Sequence, residues 1–346
     1  MDSVTQIALG SAVGYAVLGN KVGKKAALYG AIFGTLPDLD VFISFGGTVE
    51  DFTYHRSFSH SLIVQLLLSP LIAWLLIKIH PATKVHKAGW FWLVFLTLST
   101  HALLDNFTVY GTQLLWPITD YPFGISSLFI IDPLYTLPLL VGLVAFLIPK
   151  VSQDRLHKIN HMALILSTVY IGWSVVAKWH VDRNVEKALN LSGIEKSTYE
   201  STPAPLTTFL WRAVVVNDDE YYEIFTSVFD QPSQVSIDAY PTNPDLLETL
   251  TDEWGVQRLQ YFTKGLYSVT QQGERIIFSD LRMGIEGSYV FTFEVGKNTE
   301  SGIKVSDFTQ TENRPDLGQV SLLWDRIWEP TVSLTPEARV NTLPTE

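Results

Sequence analysis

Residues 61–79 read SLIVQLLLSPLIAWLLIKI. No charged side chain occurs before Lys78, and as a helix the run would extend about 28 Å, close to the hydrocarbon thickness of a bilayer. Three further runs share its character: 89–104 (GWFWLVFLTLSTHALL), 127–148 (SLFIIDPLYTLPLLVGLVAFLI) and 161–179 (HMALILSTVYIGWSVVAKW). The third is broken near Pro133 and Pro138. Four runs this long and this poor in charge point to membrane insertion rather than to the core of a large soluble protein. Upstream, the pieces 5–19 and 23–36 each carry a Gly-x-x-x-Gly spacing, Gly10/Gly14 and Gly30/Gly34. Small residues so spaced let two helices approach closely in lipid, so a helical hairpin is expected there, shallow or fully spanning. The expected count is four to six membrane helices.

The charge distribution divides the chain. Residues 1–179 carry 11 Lys+Arg and 9 Asp+Glu, and residues 180–346 carry 13 and 26, within 346 residues of net charge −11. Two parts in different media are implied. The expected fold class is a multi-pass α-helical membrane domain followed by a C-terminal α+β extracytoplasmic domain. The expected boundaries are 1–180 for the membrane domain, 181–200 for an amphipathic connecting helix and 201–346 for the soluble α+β domain. Lys and Arg gather in the loops 20–25, 78–87 and 149–160, which places those loops in the cytoplasm. The segments 37–60 and 105–126, and everything after 180, then face outward. An acidic outer part is a poor partner for nucleic acid, which needs cations to neutralise phosphate. Membrane lipids are the expected surroundings, and the oligomeric state is left open. The N-terminus lacks the basic region of a secretory signal, so it reads as a retained membrane segment. With no cysteine in the chain, any metal must use His, Asp, Glu or backbone ligands.

On this topology, four segments distant in sequence deliver polar groups to one membrane surface. LPDLD (36–40) ends the second helix there, HRSFSH (55–60) precedes the third, HALLD (101–105) ends the fourth and IIDP (130–133) opens the fifth. They carry Asp38, Asp40, His55, His60, His101, Asp105 and Asp132. His101 and Asp105 stand at i, i+4, on one helix face, where two ligands of one metal or a local His–Asp hydrogen bond would both fit. Asp38 and Asp40 taken alone could simply form an Asx-turn. Ionisable groups beside membrane helices are costly and need partners, and together the three His and four Asp look more like a metal site than a set of caps. Mixed imidazole and carboxylate suits zinc first, with manganese or iron as alternatives, and the number of ligands allows two ions. Arg56 fits either a fork for an anionic substrate oxygen or an anchor to lipid headgroups. Asp132 would be a further ligand or a base, and Ser57 and Ser59 could donate to the histidines. No Gly-x-Ser-x-Gly elbow or Ser-His-Asp arrangement supports a serine nucleophile.

With the N-terminal MDSVTQIALGSAVG, the motifs LPDLD, HRSFSHS and HALLD…YGTQLLWP resemble the membrane-bound metal-dependent hydrolases typified by YdjM inner-membrane proteins. The resemblance covers residues 1–150 in motif. It implies a multi-pass protein of the bacterial inner (cytoplasmic) membrane that uses a divalent metal and an activated water to cleave an ester or phosphoester. Carried onto this chain, the implied ligands are Asp38, Asp40, His55, His60, His101 and Asp105. Members often carry Thr-His near the start, where this chain has Thr5-Gln6, so one coordination position is left empty or to water. Ser59 stands where Thr is common. Two rival classes remain: a non-enzymatic envelope anchor whose outer domain binds a partner, and an ion-coupled transporter. The second is disfavoured because the charges cluster at helix ends.

After residue 180 strands are expected at 209–216, 221–228, 266–271, 275–281 and 288–295, and helix over 243–254 and the segment after it. The tryptophans of LWDRIWEPTVSLTPE (323–337) could sit at the lipid interface or fill the core of this domain, the core being the reading taken, and the last residues are expected as a loose tail.

Overall fold

A computed structural model describes residues 1–311, 320–334 and 339–340. The chain forms two compact units, one of residues 1–44 and 54–174, the other of residues 45–53 and 175–346.

The first unit is helical. Helix α1 (Ser3–Val22) begins where the Asp2 carboxylate accepts from the amides of Val4 and Thr5. Gly23, at φ 66°, turns the chain into α2 (Lys24–Thr35). The two helices form the expected hairpin, and glycine makes it possible. A Cβ on Gly30 would lie 2.1 Å from the Gly10 carbonyl oxygen, and one on Gly10 would lie 2.2 Å from that of Gly30. Gly14 and Gly34 are closed in the same way by the carbonyls of Ala26 and Gln6.

The four apolar runs all become helical: α4 (Leu62–Ile79), α5 (Lys87–Asp105), α6 (Pro133–Leu147) and α7 (Gln153–Ser192). A short helix, α3 (Thr48–Tyr54), precedes them. Helix α1 packs against α2, α5 and α6, and α4 packs against α5. Trp90, Leu93 and Val94 of α5 are fully enclosed by a core that includes Leu18, Phe33, Ala73 and Leu76. Helix α4 instead turns Leu66, Leu67, Leu68, Leu71, Trp74 and Leu75 outward, as a lipid-facing helix would.

Among the described residues, two helices are long and apolar enough to cross a membrane: α4 and α7. Four to six were expected. Helix α6 has only 15 residues, and α5 interrupts its apolar run with Thr97, Ser99, Thr100 and His101.

The second unit contains the end of α7, which runs without a break to Ser192 through the segment expected as a separate helix. Strands β1 (Thr198–Pro203), β2 (Leu210–Val216), β3 (Glu220–Ser227) and β4 (Ser236–Pro241) form an antiparallel sheet, joined at its edge by β9 (Arg339–Val340). Its register pairs Ala213 with Ile224 and Tyr222 with Ala239. One face of this sheet, with Trp211, Val215 and Ile224, packs on Val181, Val185 and Leu189 of α7. That burial explains why α7 extends so far beyond a membrane length.

A second antiparallel sheet contains β5 (Tyr267–Gln272), β6 (Arg275–Asp280), β7 (Thr292–Thr299) and β8 (Gly302–Thr311). Helix α8 (Trp254–Phe262) follows a 3-10 turn at Pro244–Leu250. Phe52 of α3 is buried here, its ring 5.0 Å from that of Phe262 and 5.2 Å from that of Phe293. The strand expected at 288–295 is displaced to 292–299. The chain between Gly284 and Gly287, both at positive φ, turns first and buries Tyr289.

The tryptophans expected in the core are outside it. Trp324 and Trp328 are 63% and 61% exposed, while Arg326 and Ile327 are buried. The segment is helical, α9 (Val320–Trp328), and i, i+4 spacing puts both indoles on its outer face. Arg326 can be buried because Asp230 and the Phe225 carbonyl both accept from its Nη2 at 2.8 Å. Residues 335–337 of that stretch, and the tail at 341–346, lie outside the described residues.

Candidate metal centre

Asp38, His60, His101 and Asp105 converge, and each offers one ligand atom within 4.8 Å of the others. Three separate elements supply them. A 3-10 turn over Pro37–Phe42, started by proline at its first position, carries Asp38. A second 3-10 turn, Phe58–His60, precedes α4 and carries His60. The last turn of α5 carries His101 and Asp105. His60, His101 and Asp105 are fully buried, and the Asp38 side chain is 22% exposed.

The Nε2 atoms of His60 and His101 are 3.1 Å apart. Asp105 Oδ2 lies 3.1 Å from the first and 3.6 Å from the second. Asp38 Oδ1 lies 3.5 and 3.4 Å from the same two nitrogens. Tetrahedral ligand atoms around a zinc at 2.0–2.1 Å would be about 3.3 Å apart, so the spacing fits such an ion.

The far sides of these ligands are engaged. His101 Nδ1 donates to the Gly34 carbonyl at 2.6 Å, which places a proton there and turns Nε2 toward the cluster. Ser59 Oγ gives its proton to Asp40 Oδ2 at 2.5 Å and lies 2.8 Å from His60 Nδ1, so it accepts the His60 proton. Asp105 Oδ1 accepts from Gln6 Nε2 at 3.0 Å and from the Met1 amine, which leaves Oδ2 for the cluster. The result is two imidazole Nε2 atoms and two carboxylate oxygens facing one another. With neutral rings this is a ready-made cation site, and with protonated rings the imidazoles donate to the carboxylates instead.

The remaining residues singled out in the sequence are placed differently. Asp40 is buried behind the cluster. Its Oδ2 also accepts from the Arg56 amide at 3.0 Å, and its Oδ1 lies 2.8 Å from His55 Nδ1. Burial disfavours ionisation of Asp38 and Asp40, but their histidine neighbours outweigh it and hold both carboxyls below the usual range. His55 is a quarter exposed and pairs with Asp40 rather than joining the four.

Arg56, at φ 62°, turns inward. Its Nε is 3.3 Å from Asp105 Oδ2 and its Nη1 donates to Thr108 Oγ1 at 3.2 Å. Its guanidinium also lies over the Tyr110 ring, at 5.2 Å. A buried guanidinium so held is not an anchor to lipid headgroups. Asp132 is not one of the converging ligands. It caps α6, accepting from the amides of Leu134 and Tyr135 and, at 3.0 Å, from the Tyr170 hydroxyl. Sequence reasoning missed the Gly34 carbonyl and Thr108. Thr108 follows Asp105 by three and donates to its carbonyl at 2.7 Å, an end-of-helix pattern with no chemical signature.

A family model described as YdjM inner membrane protein matches residues 1–181. The chain is similar to the uncharacterized protein YfhP of Bacillus subtilis, at 30% identity over 141 residues. That alignment covers 38% of this chain and 42% of YfhP, so the chain spans less than half the length of this relative. No solved structure matches. The matched region contains all four converging ligands, and the chain belongs to the YdjM inner membrane protein family.

Proposed function

We propose that this protein is a metal-dependent hydrolase of the bacterial inner membrane, acting on an ester or phosphoester near the outer face of that membrane. The observation that carries the reading is the convergence of the His60 and His101 Nε2 atoms, 3.1 Å apart, with an oxygen each of Asp38 and Asp105. The N/O donor set suits zinc first and manganese or iron next. A divalent ion held there would supply a Lewis acid and make a nearby water easier to deprotonate.

The chain's own residues supply the rest. Gly34, Ser59 and Gln6 orient the ligands through the bonds described above. Arg56 keeps a positive charge beside Asp105, where it would orient an anionic substrate oxygen. The exposed edges of Asp38 and His55 mark the side from which substrate would arrive. In this reading the helical part crosses the membrane several times and the acidic C-terminal part lies outside the cytoplasm. The clustering of Lys and Arg in loops 20–25, 78–87 and 149–160 supports that orientation.

Elemental mass spectrometry of detergent-purified protein tests the metal. The wild type should hold about one ion per chain, one for the single converging group of four side chains. The double variant His60→Ala/His101→Ala should hold none. A metal-free wild type that cannot be loaded with zinc, manganese or iron would overturn the reading. If the loaded protein cleaves neither p-nitrophenyl phosphate nor p-nitrophenyl esters, the hydrolase half loses its support.

A further inference from the structure

The stretch Leu36–Ile43, LPDLDVFI, carries Asp38 and Asp40 and is otherwise apolar except for the turn-forming proline. The 3-10 turn sorts it by side. Pro37 and Asp40 are buried, while Leu36, Leu39, Val41, Phe42 and Ile43 all face outward. Val41 is 66% and Phe42 83% exposed. Five outward apolar side chains within eight residues would be a liability in water. The same turn that supplies a ligand therefore presents an apolar edge.

Depth decides what covers that edge. His60 is followed by Ser61, the N-cap of α4, so the site lies at one end of an 18-residue apolar helix. Such a helix spans about 27 Å, close to a full hydrocarbon layer. The end of α4 is then where acyl chains meet headgroups. Access points the same way. His60, His101 and Asp105 are fully enclosed, and only Asp38, between Leu36 and Leu39, opens outward. The exposed Leu36 and Leu39 flank Asp38 in sequence, and the Arg56 guanidinium lies behind it beside Asp105. Apolar surface beside an inward guanidinium suits a molecule with a hydrocarbon tail next to an anionic group.

We propose that residues 36–43 form a lip lying in the membrane interface, and that the substrate is a membrane lipid whose headgroup carries a phosphate ester. The substrate half of this inference rests on the metal reading above; the lip stands without it.

The absence of cysteine gives a direct test. Phe42→Cys is labelled with an environment-sensitive fluorophore in phosphatidylethanolamine/phosphatidylglycerol vesicles. Leu39→Cys gives a second lip position, and Val305→Cys on β8 a reference position. Nitroxide lipids should quench both lip labels several-fold more than they quench the label at 305, and aqueous iodide should show the reverse order. Iodide quenching at 42 and 39 equal to that at 305 would overturn the lip. In zinc-loaded wild type, phosphatidic acid in the vesicles should slow stripping of zinc by EDTA several-fold, while glycerol 3-phosphate should not. Equal protection by both, or by neither, would overturn the lipid substrate. A wild type that takes up no zinc overturns the metal reading itself, and the label depth still decides the lip.

Discussion

His60 and His101 face each other through Nε2 atoms 3.1 Å apart, and the Nδ1 of each is engaged on the outer side of its ring, by Ser59 and by the Gly34 carbonyl. Where both rings are neutral they repel, and the adjoining Asp38 and Asp105 oxygens add negative charge. A cation bound between them would relieve that repulsion.

Metal should therefore stabilise the fold. A ligand at a hundredfold excess over its Kd stabilises the native state by about 2.7 kcal/mol. Adding zinc to chelator-treated protein should raise its Tm accordingly, and His60→Ala/His101→Ala should show no response. A Tm indifferent to zinc in the wild type would count against the site.

Asp40 acts on the site through Ser59 and His60. Asp40→Asn leaves all four ligands in place but weakens the acceptor that fixes the Ser59 proton. Removing such a support typically lowers metal affinity by about 10–100-fold. Competition with a chelator of known affinity should show that loss with stoichiometry unchanged. Asp38→Asn should cost more, because it removes a ligand charge.

Asp132 offers the contrasting control. Its carboxylate caps α6 and accepts from Tyr170, so Asp132→Ala should destabilise that helix by about 0.5–2 kcal/mol, the usual cost of a lost cap. Metal content should not change. Loss of metal with the fold intact would return Asp132 to the site.

How much of this was legible from sequence depends on the kind of information each residue carries. His101 and Asp105 were readable as a pair because helical spacing alone puts them on one face. The segments LPDLD, HRSFSH and HALLD were readable as neighbours and do converge, while IIDP, expected beside them, supplies none of the four ligands. The inward turn of Arg56 was not, since its positive φ follows from the surrounding fold. The Asp132 cap was readable: Asp directly before Pro133 at a helix start is a capping signal, and it was outweighed by proximity to other ligands. β8 carries few inward apolar positions, so no alternation announced it. The exposed tryptophans of α9 were misread because burial of Arg326 inverts the expected polarity of that helix.

Gly30 tests the hairpin. Its Cβ would strike the Gly10 carbonyl, and backbone cannot yield as a side-chain tip can. Gly30→Ala should cost at least the ~1–3 kcal/mol typical of overpacking, read as a lower Tm in detergent. Gly172→Ala, with nothing within 4 Å of the added carbon, is the control and should gain slightly from helix propensity. Since Gly34 also accepts from His101, separation of the hairpin should lower metal affinity as well.

The sheet unit contains a second buried charge pair, and its removal should show how far polarity there is structural. Arg212 on β2 donates to Glu223 on β3 and, at 2.7 Å, to the Leu281 carbonyl, and Tyr289 donates to Glu223. Arg212→Met strands the Glu223 carboxylate with one donor, and breaking a buried pair in this way costs about 3–5 kcal/mol. Glu223→Leu in addition removes the stranded charge, so the double variant should recover most of the loss. It should not recover all of it. The Leu281 carbonyl stays unpaired, at a cost of about 1–3 kcal/mol, while the Tyr289 hydroxyl keeps Tyr221 at 3.3 Å. Hydrogen exchange at the β2 and β3 amides reports this locally, without interference from the helical unit. A double variant that exchanges as fast as Arg212→Met would show that the pair does more than satisfy itself.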